Sequence, residues 1–470
     1  MASWASRLAT ESGLATILRS GRDAKLLCAQ RFVRLFAYGA SFLVLVPFLA
    51  SLGIPDARIG LFMTMTLLGD VVISLVLTAI TDRVGRRRIL TVGTLLMAGS
   101  GVVFALSDNF WVLLLASIVG VISPSGNEIG PFRAVEESVL AQLTPTAQRS
   151  DMFAWYTLFG TAGTALGSLT SGGIVQIIQD RDGASNTAYR VIFIMYAAIG
   201  VVKCLLTLAL TSAVEAAPAW PAPASSTEPN ERSALLSGEG RDETDPNSDS
   251  TSVSKPTVSQ RIRYLFPHIS HESRSILFRL ILLFALDSFA SGMAAPSWIT
   301  YFFITVHTLA PAILGTLFLV TNILASFSNL LALPLARRLG PLKTMAFTHL
   351  PSALFLAMVP VPPASKSFGT PLAMAFLALR ACTQSMDQAP RQAFLSAAVL
   401  PAERTAVMGV VNTVKTLMQA GGVGFSGVLA GRHQWLLLLG GAGALKASYD
   451  LLLLWNFSHM RSRQEDDEAT

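Results

Sequence analysis

The sequence predicts an all-α integral membrane protein of twelve transmembrane helices, arranged as two pseudo-symmetric six-helix bundles. Three observations predict it: too little charge for a water-facing surface, a series of long apolar runs, and a polar linker that parts those runs six from six. The 470 residues are 52% hydrophobic and 14% charged, with a mean hydropathy of +0.53. A soluble chain carries about 25% charged residues because its surface must face water. Most of this surface is therefore expected to face lipid.

The apolar runs lie near 36–52, 59–80, 89–106, 111–126, 152–178 and 188–212, then near 276–303, 312–335, 342–361, 371–398, 405–430 and 434–456. Each approaches the roughly 20 residues that cross a hydrocarbon layer as helix. They do not alternate in polarity as the strands of a membrane barrel do. Cys28, Cys204 and Cys382 are widely scattered, with no disulfide or metal-ligand spacing. Arg19, Arg22, Lys25, Arg31 and Arg34 precede a first run far longer than the apolar core of a cleaved signal, so it reads as a retained span.

Residues 215–260 are rich in Pro, Ser, Glu, Asp and Thr, a composition that buries too little apolar surface to fold. The expected organisation is a cytosolic segment 1–30, a bundle 31–212, a disordered linker 213–274, a second bundle 275–457 and a tail 458–470. Loop cations set the orientation. Arg22, Lys25, Arg83, Arg86 to Arg88, Arg149, the arginines of the linker, Arg337, Arg338, Lys343, Arg404, Arg461 and Arg463 share one side. Arg58, Arg181, Arg190, Lys366 and Arg432 are left for the other. The positive-inside bias places both termini and the linker in the cytosol.

The halves share a frame. Gly60-Leu61-Phe62 followed by Asp82-Arg83-Val84-Gly85-Arg86 lies 255 residues before Gly315-Thr316-Leu317-Phe318 followed by Arg337-Arg338-Leu339-Gly340. The same offset relates Arg149 to Arg404, Gly167 to Gly422 and Gly172 to Gly427. Glu128 and Pro131 match Asp387 and Pro390 at an offset of 259, a slip of about one helical turn. A frame held through several spans signals two parallel repeats.

Thr81-Asp82-Arg83-Val84-Gly85-Arg86-Arg87-Arg88, between spans two and three, resembles the D-R-x-G-R-R signature of the major facilitator superfamily. The leading glycine usual four residues before the acid is Thr78 here, and the second copy around Gly340 lacks the acid. Gly160, Gly163, Gly167, Gly172 and Gly173 in span five resemble the antiporter motif of some members, without its Gly-Pro step. The resemblance implies that Asp82, Arg83, Gly85 and Arg86 brace a cytoplasmic gate. It also implies that spans one, four, seven and ten line a central cavity. The plain alternative for Arg86 to Arg88 is topology signalling alone.

A charge at mid-bilayer costs about 2.5–3.5 kcal/mol on insertion scales, so it needs a partner or water. Glu128, Asp287, Arg380 and Asp387 fall near mid-span, and Glu136, Glu137 and Arg279 nearer the cytosolic face. Glu128 and Asp387 each stand three residues before a proline, which frees a backbone carbonyl. Both acids are expected to face the cavity, with Arg380, Arg133 and Arg391 as countercharges and one acid carrying a coupling proton. The bland alternative is a set of salt bridges that hold helices together. Lys446 and Asp450, four apart, are expected to pair locally. Arg34 is expected to snorkel to the interface, and Asp70 and Lys415 to be structural.

Glu231, Leu235 and Leu236 match an acidic dileucine sorting pattern, which a sorting adaptor would read in an accessible cytosolic loop. A chance apolar pair gives the same letters. The function these features indicate is a monomeric secondary transporter that moves a small polar or charged organic solute by alternating access, coupled to protons. It would lie in the plasma or vacuolar membrane. An efflux carrier for amphipathic compounds is a close variant, and a non-transporting sensor on the same scaffold belongs to a different class. No phosphate loop, metal cluster or nucleophile–base spacing suggests an enzyme or a cofactor. The basic residues follow topology rather than a nucleic-acid patch, despite a pI near 9.4.

Overall fold

The computed structural model describes residues 14–120, 122, 131–145, 148–183, 185–215, 271–388, 390–391 and 404–457. Each of the twelve expected windows contains helix. Seven stretches are long and apolar enough to cross a membrane: Arg22–Ser51, Asp56–Leu77, Arg86–Leu106, Ser185–Leu208, Phe278–Thr305, Pro311–Asn329 and Leu436–Phe457. They correspond to spans one, two, three, six, seven, eight and twelve. The other windows hold shorter or more polar helices. Span five is Arg149–Asp182, span nine Pro341–Met358 and span eleven Arg404–Gly431.

Spans seven and ten are broken at or before prolines. Span seven is divided into His271–Met293 and Pro296–Thr305, and Pro296 starts the second piece, where its missing N–H costs nothing. Span ten is helical over Gly369–Ala381, then runs through turns at 382–387. Pro390 has no N–H to offer the carbonyl four residues earlier, so the α ladder cannot pass it. Span four is described over Phe110–Val119 and Pro131–Leu143, and Pro131 matches Pro390 in the repeat frame. Residues 123–130 between them, Glu128 included, lie outside the described residues, as do the linker residues 216–270.

Leu75, Trp111, Leu115, Leu205, Phe278, Phe327, Leu331 and Trp455 are exposed large apolar side chains. They form the outer surface of an integral membrane protein. Inside, small residues let helices touch through their backbones. A Cβ added to Gly39, Gly163 or Gly167 would meet the backbone of the facing helix between spans one and five. Gly292 and Gly422 do the same between spans seven and eleven.

The halves meet at the bundle end remote from both termini. A Cβ on Gly427 of span eleven would lie 2.6 Å from the Cα of Gly60 of span two. One on Gly172 of span five would lie 3.1 Å from the Cα of Gly315 of span eight. Nearby, the Tyr301 hydroxyl donates to Asp56 Oδ1 at 3.1 Å, and the Thr64 hydroxyl to the Ala420 carbonyl at 2.9 Å.

Candidate functional site

A cavity of about 410 Å³ lies between the halves. Spans one and five contribute Phe42, Thr157, Thr161 and Thr164 to its wall. The second half contributes Asn322, Ser326 and Asn329 from span eight, His349 from span nine, Gln419 from span eleven and Lys446 from span twelve. Span ten contributes Arg380, Gln384, Ser385 and Gln388, the last three from or beside the turns that Pro390 forces. Among the described lining residues there is no aspartate or glutamate. The Nε of Arg380 is buried and has no hydrogen-bond partner among the described residues. Its guanidinium thus brings positive charge to a wall of amides and hydroxyls.

Behind this wall lies a cluster of charges. Asp287 of span seven accepts from Lys446 Nζ at 2.7 Å and from an Arg391 guanidinium nitrogen at 2.9 Å. Lys446 also donates to Ser291 at 2.7 Å, and Arg391 pairs with Asp387 one turn earlier. His349 Nδ1 contacts both oxygens of Asp450, at 3.0 and 2.9 Å, and its Nε2 is 3.9 Å from Asp287 Oδ1. The Arg391 guanidinium lies over the Phe284 and Tyr449 rings, and Lys415 Nζ stands 5.9 Å from the Phe284 ring centre. Five of these groups, Asp287, His349, Asp387, Asp450 and Lys446, are buried. Unpaired charges there would be severely destabilising.

The first half holds a second cluster. Glu136 of span four is fully buried and accepts from Arg34 of span one at 2.8 Å and from the Tyr156 hydroxyl at 2.6 Å. Lys203 of span six stands 3.4 Å from its other oxygen and 3.6 Å from the Phe132 ring centre.

These positions correct several expectations. Asp387 does not line the cavity, because Arg391 holds it within the cluster, so only the countercharge role expected of Arg391 has its partner in place. Arg133 is 54% exposed and pairs with Glu137 at 2.7 Å, away from the cavity wall. Lys446 and Asp450 do not pair locally: Lys446 turns to Asp287 and Asp450 to His349. Arg34 does not snorkel. The helix of span one starts at Arg22, so Arg34 lies about 18 Å along it, and Glu136 holds it there. Asp70 is buried with Oδ1 unpartnered among the described residues. His349 was not legible as a site residue, because a histidine counted as neutral leaves no mark on a charge map.

At the motif between spans two and three, Gly85 adopts φ 104° and its repeat partner Gly340 φ 76°, in the region that favours glycine. Asp82 and Arg83 lie in the helix Asp56–Val84, and their side chains fall outside the described residues. The acid that caps span three is Glu215, just after span six, which accepts from the Arg86 and Arg87 amides at 2.7 and 3.3 Å. Arg86 donates to Gln142 of span four at 2.7 Å, and Gln142 donates to the Ala213 and Glu215 carbonyls. Glu231, Leu235 and Leu236 lie outside the described residues.

Comparison with known proteins gives the following matches. The family model of the Major Facilitator Superfamily matches residues 27–423. An uncharacterized membrane protein of Saccharomyces cerevisiae is 35% identical over 441 residues, covering 93% of this chain and 94% of that protein. The quinolone resistance protein NorA of Staphylococcus aureus is 23% identical over 167 residues, covering 36% of this chain and 39% of that one. Among solved structures, the inward open conformation of the xylose transporter XylE from E. coli superposes with a TM-score of 0.63 at 14% identity, covering 92% of this chain and 95% of that chain. A mutant of the peptide transporter POT in complex with sulfate superposes with a TM-score of 0.66 at 14% identity, covering 94% and 95%.

Proposed function

The chain belongs to the major facilitator superfamily, and from that premise we propose that it is a secondary transporter for a small organic anion, working by alternating access. Membership places the protein among membrane transporters rather than enzymes. The observation that carries the choice of solute is the cavity wall. It has Arg380, whose Nε has no partner among the described residues, Lys446 reaching the wall from its pair with Asp287, and no acid among its described residues. A buried donor left unpaired costs about 1–3 kcal/mol, and a carboxylate or other anionic group supplies the missing acceptor. The amides and hydroxyls of Asn322, Gln384, Gln388 and Thr161 suit the polar remainder of such a solute.

Alternating access draws support from the two glycine contacts, which join the halves at the end remote from the termini. With the termini cytosolic, as the loop cations imply, the cavity is sealed from the outside and the conformation is inward-facing. The linker then lies in the cytosol, where a sorting adaptor would reach Glu231, Leu235 and Leu236. An amphipathic efflux substrate, as the partial similarity to NorA would suggest, fits a polar wall poorly.

The test is uptake into proteoliposomes of a radiolabelled panel of small carboxylates, neutral sugars and organic amines, with an imposed pH gradient. Carboxylates are expected to accumulate. Accumulation of amines or sugars alone would overturn the choice of solute, and binding without movement by any panel member would favour a sensor.

A further inference from the structure

We propose that the coupling proton of this transporter is held by His349 paired with Asp450, rather than by Asp287 or Asp387. The inference rests on the transport reading above and names the proton site within it.

The contacts single out this pair. Asp287 touches Lys446 and Arg391, and Asp387 touches Arg391; Lys446 and Arg391 keep their charge at physiological pH, so protonating either acid would break a buried ion pair. Asp450 differs. Its side chain is fully buried, and its ion-pair partner among the described residues is His349, a group that gains or loses charge in the physiological range. Both imidazole nitrogens face carboxylates, Nδ1 toward Asp450 and Nε2 toward Asp287 at 3.9 Å. The ring therefore has an acceptor for Nδ1–H in Asp450 and a carboxylate within ion-pair range of Nε2 in Asp287.

Access is the second part of the case. His349 lines the cavity, whereas Asp450, Asp387 and Asp287 are not among its lining residues. Water entering the cavity thus reaches the imidazole before it reaches any of the three acids. The groups around the pair are Asp287 and Ser291 from span seven, Asp387 and Arg391 from span ten, and Lys415 from span eleven. Lys446 and Tyr449 come from span twelve, and Arg380 stands on the same cavity wall.

The step is simple. A neutral His349 donates from Nδ1 to Asp450 and takes a proton at Nε2 from a hydronium ion in the cavity, leaving water. The new N–H faces Asp287 Oδ1. Release on the other side returns the proton to water, and no other bond changes. A charged His349 adds positive charge to the wall that holds Arg380, so the proton and an anionic solute each favour the other's binding. Linkage makes that gain reciprocal. The coupling is therefore symport.

Two measurements on the full chain test this. In lipid nanodiscs with 15N-labelled histidine, the His349 signal is assigned by its loss in His349→Gln. It is expected to change as pH is varied. That response is expected to be altered in Asp450→Asn, which removes the carboxylate that Nδ1 faces. A signal that does not change with pH, or a response unaltered by Asp450→Asn, overturns the assignment whether or not a solute is found. In proteoliposomes, with whichever labelled carboxylate the wild type accumulates, the ratio of gradient-driven accumulation to counterflow is expected to fall about tenfold in Asp450→Asn. Misfolding lowers both quantities and leaves the ratio, so an unchanged ratio overturns the proposal. A wild type that moves no panel solute counts against the transport reading instead.

Discussion

Glu136 of span four and Arg391 of span ten stand on repeat-related helices with opposite charge, and each belongs to a buried ion cluster that ties several spans together. In the first half, an acid on span four is held by cations on spans one and six, Arg34 and Lys203. In the second, an acid on span seven is held by cations on spans ten and twelve, Arg391 and Lys446. Spans six and twelve each supply a lysine, while the acid and the other cation stand on exchanged helices, span four and span one in the first half against span seven and span ten in the second. The two halves thus build the same kind of anchor with part of its polarity reversed.

The anchor role predicts that Glu136→Gln destabilises the first half. Arg34 and Lys203 would face each other without their carboxylate, a loss of about 3–5 kcal/mol for a broken buried pair. Thermal unfolding of the purified protein in detergent should show a clearly lowered transition, and Glu136→Asp an intermediate one. A transition equal to the wild type would show that the cluster is not an anchor.

Arg380 predicts a graded effect on uptake. Arg380→Gln removes a charged hydrogen bond worth roughly 1.5–3 kcal/mol, so apparent affinity for the transported carboxylate should fall by about 10- to 100-fold. Arg380→Lys keeps the charge but not the planar fork and should recover part of it. Uptake kinetics in proteoliposomes decide, and equal affinity in all three proteins would remove Arg380 from the site.

The seam between spans two and eleven predicts a conformational lesion. Gly427→Val places a side chain where a Cβ already lies 2.6 Å from Gly60 Cα. Overpacking of this kind costs about 1–3 kcal/mol, enough to move a two-state population by about five- to a hundredfold. Disulfide cross-linking between cysteines placed at Asp56 and Tyr301 reports on closure of that end, and its yield should drop. Undiminished yield would mean that the seam is not what seals the protein.

Glu215 predicts a local effect. Glu215→Ala removes the acceptor of the Arg86 and Arg87 amides, and loss of a helix cap costs about 0.5–2 kcal/mol. Amide hydrogen exchange at those two residues should accelerate, while exchange in the Gly60 and Gly427 region stays as it was. Protection that survives at Arg86 would place the cap elsewhere.

Much of the fold was legible in the sequence because apolar length and loop charge act locally along the chain. Gly60 with Gly315, and Gly172 with Gly427, could be matched as equivalents from their spacing alone. Their partners could not, because a repeat frame states which residues correspond, not which ones touch. The local rule that joined Lys446 to Asp450 failed for a related reason. Four residues of helix bring two side chains to one face, but His349 and Asp287, from other helices, offered closer partners in the interior. Arg34 was misplaced because the helix of span one begins well before its apolar stretch, so a residue at the edge of that stretch is already deep. His349, the residue on which the proton proposal turns, follows Thr348 in span nine with no sequence neighbour to mark it, and only the neighbouring helices reveal its partners.

The two glycine seams map onto each other under the repeat: the receiving Gly60 is the counterpart of the receiving Gly315, and the approaching Gly427 of the approaching Gly172. The halves therefore dock as a self-complementary pair, with bare backbone as the mating surface at both seams and the Tyr301–Asp56 and Thr64–Ala420 hydrogen bonds beside one of them. Parting such a surface asks for a rotation about the axis relating the halves and the loss of those two bonds. A bulky residue at a single one of the four positions would jam one edge of this hinge while its twin stayed free, tilting the motion rather than stopping it symmetrically.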